Sequence, residues 1–175
     1  MQRVRHHAFH SRTGVNMSKL IKLYLETSAW NFYFADDAPE KQAATLQFFE
    51  QVKQGAYEIF ISDIVFEEIA KASERKRELL FGLIAEYQPQ KLEINETVLN
   101  LAKKYLAQDV LPTRAIADSK HAAVASVYEL DALISWNLKH LANLRKMEKI
   151  NGVNLIEGYS KRLELITPME VSNNE

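Results

Sequence analysis

Apolar positions along the chain fall into two periods that take turns. Short runs with no helical period come first: LIKLYL at Leu20–Leu25, YEIFI at Tyr57–Ile61, KLEI at Lys91–Ile94, DALISW at Asp131–Trp136 and VNLI at Val153–Ile156. Between them lie stretches whose apolar residues recur at three and four, as on one helix face. These predict helices over Glu40–Gln54, from Asp63 through DIVFEEIAKA, over Ser73–Tyr87, Asn95–Gln108, from Thr113 onward, and over Leu138–Lys149. DALISW is apolar on both faces, as a strand covered by helices on both sides must be. Punctuation agrees with the pattern. Gly55 stops one helix, Pro89 breaks the chain before the third strand, and Pro112 stands where a helix tolerates a missing N–H. Asn151-Gly152 reads as a turn into VNLI, and LELIT at Leu163–Thr167 reads as one edge strand. Strand and helix alternate five times, which predicts an α/β domain with a parallel, doubly wound sheet of about five strands.

The pattern starts late. Met1–Asn16 shows neither period, is polar and basic, and holds His6, His7 and His10, three of the five histidines. We expect residues 1–19 to be a disordered extension, with Met17 reading as a second start, and residues 20–170 to be one domain. A chain of 175 residues can bury a real core. Net charge is −1, so any nucleic-acid surface must be local. With no cysteine, a disulfide framework and thiolate metal sites are excluded, which suits the cytoplasm. No apolar run reaches the roughly 20 residues a membrane span needs. GxGxxG and GxxxxGK[ST] are both absent, which argues against dinucleotide and P-loop nucleotide binding.

Chemistry in such a sheet gathers beyond the carboxyl ends of the strands. Glu26, Glu68 and Asp118 each follow or flank one of those ends. Glu26-Thr27-Ser28 supports two readings: a site acid with two hydroxyls, or a helix cap in which Thr or Ser accepts a backbone N–H. Glu67 and Glu68 point about 100° apart, so only one can face the strand ends. Ser62 reads as the cap of the helix that follows, and Asp63 at its start likewise reads as a capping residue. Three converging carboxylates repel one another unless a cation joins them. Oxygen ligands without Cys or a His pair favour Mg²⁺ or Mn²⁺ over Zn²⁺. His121 and His140 read as packing or surface groups, and Asp131 as the opening of a strand.

Three pieces, LYLETS, ISDIVFEEI and IADSKHAAVASVYELDALISWNLKHLAN, resemble the PIN-domain family of metal-dependent ribonucleases, which includes VapC-like toxins. The resemblance covers about Leu20 to Ile156 and implies a three-layer α/β/α fold. It matches Glu26 to the first acid, Glu68 to the second, Asp118 to the third, and Asn137 to a position where many members carry a fourth. Ser28 and Ser135 match small polar residues that support the acids. Implied are a divalent ion (Mg²⁺ or Mn²⁺) on Glu26, Glu68 and Asp118, cleavage of single-stranded RNA, an antitoxin protein as partner, and a homodimer. Arg114, Lys139, His140 and Arg145 flank the site as expected RNA contacts. Two departures stand out: the first acid is Glu where Asp is usual, and the fourth is an amide. A weakened PIN domain that only binds RNA or protein is the alternative they raise. A haloacid-dehalogenase-type phosphotransferase wants Asp-x-Asp at the first strand end, which Glu26-Thr27-Ser28 does not offer.

Overall fold

The structure is a computed structural model that describes residues 19–173. The expected extension and its three histidines lie outside the described residues. Five strands, β1 (Ile21–Leu25), β2 (Tyr57–Ser62), β3 (Gln90–Leu92), β4 (Ala132–Ile134) and β5 (Glu164–Ile166), form one sheet in the order β3-β2-β1-β4-β5. Every neighbouring pair is parallel. Helices α1 (Thr27–Asn31), α2 (Pro39–Lys53), α3 (Asp63–Ile69) and α4 (Glu74–Tyr87) come first along the chain, then α5 (Glu96–Ala107), α6 (Ile116–Val127) and α7 (Leu144–Ile156), and last α8 (Pro168–Ser172). Strand side chains alternate between two cores. Tyr24, Phe60 and Leu133 join α5, α6 and α7, while Leu23, Leu25, Ile59, Ile61 and Ile134 join Trp30, Phe48, Phe49 and the other helices. The α/β/α layering follows from this.

One expected strand is a helix. Val153–Ile156 is the last turn of α7, and the fifth strand is the edge segment Glu164–Ile166, paired with β4. The physical reason lies in one buried row of three residues and two asparagines. Met147, Ile150 and Val153 are buried at a spacing of three, whereas Leu155 and Ile156 point into solvent at 64% and 73% exposure. Asn151 donates to the carbonyls of Met147 and Leu163 and accepts the Leu163 N–H. Asn154 donates to Ser126 and accepts from Tyr105, tying α7 to α5 and α6. Asn-Gly thus marks no turn here; the asparagine is held by the helix turn before it and by Leu163, twelve residues on. The basic helix is also shifted from its expected place: Leu138–Asn143 is a run of turns, and α7 starts at Leu144, capped by the Asn143 side chain on the Lys146 N–H. In the same way α6 starts at Ile116 rather than Thr113.

The sheet order reverses between β1 and β4. Strands β1, β2 and β3 build outward one way, and β4 and β5 the other. A crevice must open between the loops that leave β1 and β4, since they go to opposite faces. The Glu26 N–H bonds the Ile134 carbonyl at 3.1 Å, so the two exits begin side by side.

Asn151→Ala should cost about 1–3 kcal/mol, because two buried backbone groups of Leu163 would lose their partner. Urea unfolding of both proteins measures it, and the loss should come without a change in m-value.

Candidate active site at the sheet switch point

Glu26 is the first residue past β1 and is 5% exposed. A buried carboxylate needs donors, and it has three, all ending on Oε2. They are the Ser28 N–H at 3.1 Å, the Ser28 hydroxyl, and the Ser135 hydroxyl at 2.7 Å. Each serine is itself fixed by the exit of β4: Ser28 Oγ accepts the Trp136 N–H across the crevice, and Ser135 Oγ accepts the Asn137 N–H of its own loop, both at 2.8 Å. Cap and site are therefore one device. The N-cap of α1 is Glu26 itself, not Thr27 or Ser28. Its extra methylene compared with Asp lets the carboxylate fold back over its own helix start.

Thr27 turns the other way and donates to Glu68 Oε1 at 2.8 Å. Glu68 sits in the second turn of α3 and faces inward, while Glu67 is exposed. Asp63 takes no part; it pairs with Lys91 at 2.6 Å on the surface. Nor does Ser62 cap α3. Its hydroxyl meets the Tyr24 hydroxyl at 2.7 Å.

Asp118 and His121 come from α6, three residues apart and so on one face. His121 has no exposed surface. Its Nε2 lies 2.5 Å from Glu68 Oε1, and its Nδ1 lies 2.7 Å from the Tyr24 hydroxyl. A carboxylate only accepts, so Nε2 carries a proton here. In the neutral ring Nδ1 then accepts from Tyr24, whose oxygen in turn accepts from Ser62. Burial raises the Tyr24 phenol far above its ordinary range, against the Ser62 hydrogen bond, and the charges of Glu26 and Glu68 push the same way; it stays neutral.

The acids sense one another. Burial pushes Glu26 up, reinforced by the Glu68 charge and resisted by His121 and the two serines. Burial also pushes Asp118 up, resisted by His121 and His140, with Glu68 raising it and the nearby Asn137 side chain lowering it. Glu68 goes the other way. Burial would raise it, but the His121 hydrogen bond and charge, Thr27 and Lys71 together hold it below the ordinary range. His121 is thus the one neighbour that lowers all three acids. One ligand atom each from Glu26, Glu68 and His121 lies within 4.8 Å of the others. Asp118 stands one helical turn away, beside Asn137. The Asn137 Oδ1 accepts the His140 N–H at 3.1 Å and closes the turn after β4.

Of the expected RNA contacts, Arg114, Lys139 and His140 line one open pocket of about 380 Å³, joined by Lys146. Lys146 spends its ammonium on the Val110 carbonyl. His140 Nδ1 is buried without a hydrogen-bond partner. Arg145 is exposed on α7, outside that lining.

Sequence reasoning set His121 aside as a packing or surface group and Ser62 as a helix cap, and Tyr24 went unnoticed. A signal was present: His121 follows Asp118 by three, and Tyr24 places a hydroxyl, which needs a partner, on the same sheet face.

Among the described residues, no helix is long and apolar enough to cross a membrane. No curated protein matches the chain. The PIN domain family model matches residues 23–143, a span that runs from β1 to the turn after Asn137 and includes every residue of the cluster. PIN domains are a nuclease family that uses divalent metals, and on this match the chain belongs to it.

Proposed function

We propose that the protein is a metal-dependent endoribonuclease that hydrolyses phosphodiester bonds of single-stranded RNA. The observation that carries this is the cluster at the switch point: ligand atoms of Glu26, Glu68 and His121 within 4.8 Å, with Asp118 one turn away. The donors suit a divalent cation. Two of the three acids are pushed towards protonation by burial and mutual repulsion, which a cation would relieve. A bound ion would supply a water of lowered pKa and take up charge on the scissile phosphate.

The rest falls to the chain. Ser28 and Ser135 hold Oε2 of Glu26 and so aim the carboxylate. Asp118 and Glu68 complete the anionic set. For His121 to offer the Nε2 lone pair, its proton must sit on Nδ1. The Tyr24 oxygen then accepts it, and the Tyr24 hydroxyl turns to Ser62. An imidazole ligand moves preference from Mg²⁺ towards Mn²⁺. Arg114, Lys139 and His140 supply the cationic surface for phosphates beside the acids. The finer parts of the reading are a cytoplasmic toxin, an antitoxin peptide that silences it, and a homodimer.

A second reading is favoured by one specific feature. Asn137 places a neutral amide where many PIN domains carry an acid, and its oxygen is already committed to the His140 N–H. On that reading the chain is a weakened PIN module that binds RNA or protein without cutting.

Cleavage of end-labelled single-stranded RNA in Mn²⁺, abolished by chelator, separates the two. Asp118→Asn should lower the rate by roughly 100-fold or more, as loss of several kcal/mol of charge stabilisation implies. Absence of any metal-dependent cut in the unsubstituted chain would favour the module.

Glu26→Gln keeps an acceptor for both serines but removes a buried charge. Because burial raises the Glu26 pKa, its ionised form costs stability as pH rises above the ordinary glutamate range. In chelator the variant should therefore melt higher, by a margin that widens with pH. In Mn²⁺ the order should reverse, since only the parent binds the ion well. Melting curves across pH, with and without metal, report both halves.

Asn137→Asp should tighten Mn²⁺ binding in calorimetry, since Asp can still cap the His140 N–H while adding an anion. Metal-free stability should drop slightly, as a like charge joins the cluster.

A further inference from the structure

A second cationic feature stands on the opposite side of the same acids, and the site described so far does not use it. Trp136 leaves β4 between Ser135 and Asn137, and its backbone N–H is held by Ser28. Its indole turns towards α2, where the indole N–H donates to Thr45 Oγ1 at 2.9 Å. Thr45 is fully buried and passes its own proton to the Lys41 carbonyl at 2.7 Å. This one threonine therefore fixes the plane of the indole and the turn of α2 that carries Lys41. The Lys41 ammonium stands 5.2 Å from the centre of the Phe32 ring and 5.6 Å from that of Trp136. The two rings are tilted at 44° with centroids 5.7 Å apart. Phe32 is only partly buried, and Lys41 has no carboxylate partner among the described residues.

The placement gives this cluster a direction. Arg114, Lys139 and His140 lie where the chain turns towards α6 and α7; Phe32 and Lys41 lie on the α1 and α2 side. The acids stand at the rim between them. A strand of RNA with its scissile phosphate at the acids must leave over both sides. On one side it meets Arg114, Lys139 and His140. On the other it meets a ring with an ammonium over it that no carboxylate engages, the pairing by which single-stranded nucleic acid is held without sequence readout.

We propose that Phe32 and Lys41, seated on Trp136 and Thr45, form a nucleotide subsite for single-stranded RNA: the base stacks on Phe32 and its phosphate meets Lys41. This rests on the ribonuclease reading and adds where the substrate runs.

The test is binding of a fluorescent single-stranded RNA to the Asp118→Asn chain in Mn²⁺, read by anisotropy over a range of salt. Added to that background, Phe32→Leu should weaken binding about 5-fold or more, and Phe32→Tyr, which keeps a ring, should not. Lys41→Gln should flatten the dependence of log affinity on log salt by about 0.7, the share of one phosphate contact to a single strand. Photocrosslinking of 5-iodouridine RNA to the unsubstituted chain, which needs no folded variant, should label the peptide that contains Phe32. If Phe32→Leu and Lys41→Gln bind like their parent while Lys139→Ala weakens binding, the subsite is wrong and the ribonuclease reading stands. Crosslinks confined to the Arg114–His140 side would overturn it equally. If the parent itself binds no RNA, both readings fall together.

Discussion

The structure turns on a buried carboxylate. Glu26 is 5% exposed at the carboxyl end of the central strand, where an unpaired anion would cost several kcal/mol. Its donors come from two loops, and both donors accept backbone N–H groups from the loop that leaves β4. Ser28 joins α1 to Trp136, and Ser135 joins β4 to Asn137. The same bonds that make Glu26 tolerable thus lock the crevice between β1 and β4. Loosening either serine would free both loop exits at once.

Around this anchor the site is assembled in balanced opposition. Burial drives Glu26 and Asp118 towards protonation, and His121 holds all three acids down. His121 is itself committed at both ring nitrogens, to Glu68 and to Tyr24. The metal-free cluster is therefore a set of paired groups rather than a row of bare anions. Were a cation held there, His121 would exchange its hydrogen bond to Glu68 for the ion, and Glu26 and Asp118 would be relieved of the pressure that burial puts on their charge.

The aromatic side of the rim follows the same economy. Thr45 accepts from Trp136 and donates to Lys41, so one buried hydroxyl serves both a strand exit and a helix start. The site is bounded on each side by backbone that is held by side chains, not by free loops.

Much of the fold was legible because its elements carry their own local signals. Two-sided apolar runs gave β1, β2 and β4, strand ends pointed to Glu26, Glu68 and Asp118, and the resemblance to the PIN-domain family added Asn137. VNLI misled because an Asn-Gly pair looks like a turn, whereas Asn151 and Asn154 are satisfied by Leu163, Tyr105 and Ser126, none of them local. His121 misled for the same reason. Alone on an alanine-rich helix it looks like packing, and its chemistry appears only when β1 brings Tyr24 and α3 brings Glu68 to its two nitrogens. The sequence by itself determined which residues could form strands, helices and acidic ligands, since period and residue type are local properties. Tertiary structure alone decided which hydroxyl serves which carboxylate, which face of the rim carries Lys41, and that an imidazole stands among the acids, because each depends on a strand order that brings together residues up to 109 apart in the chain.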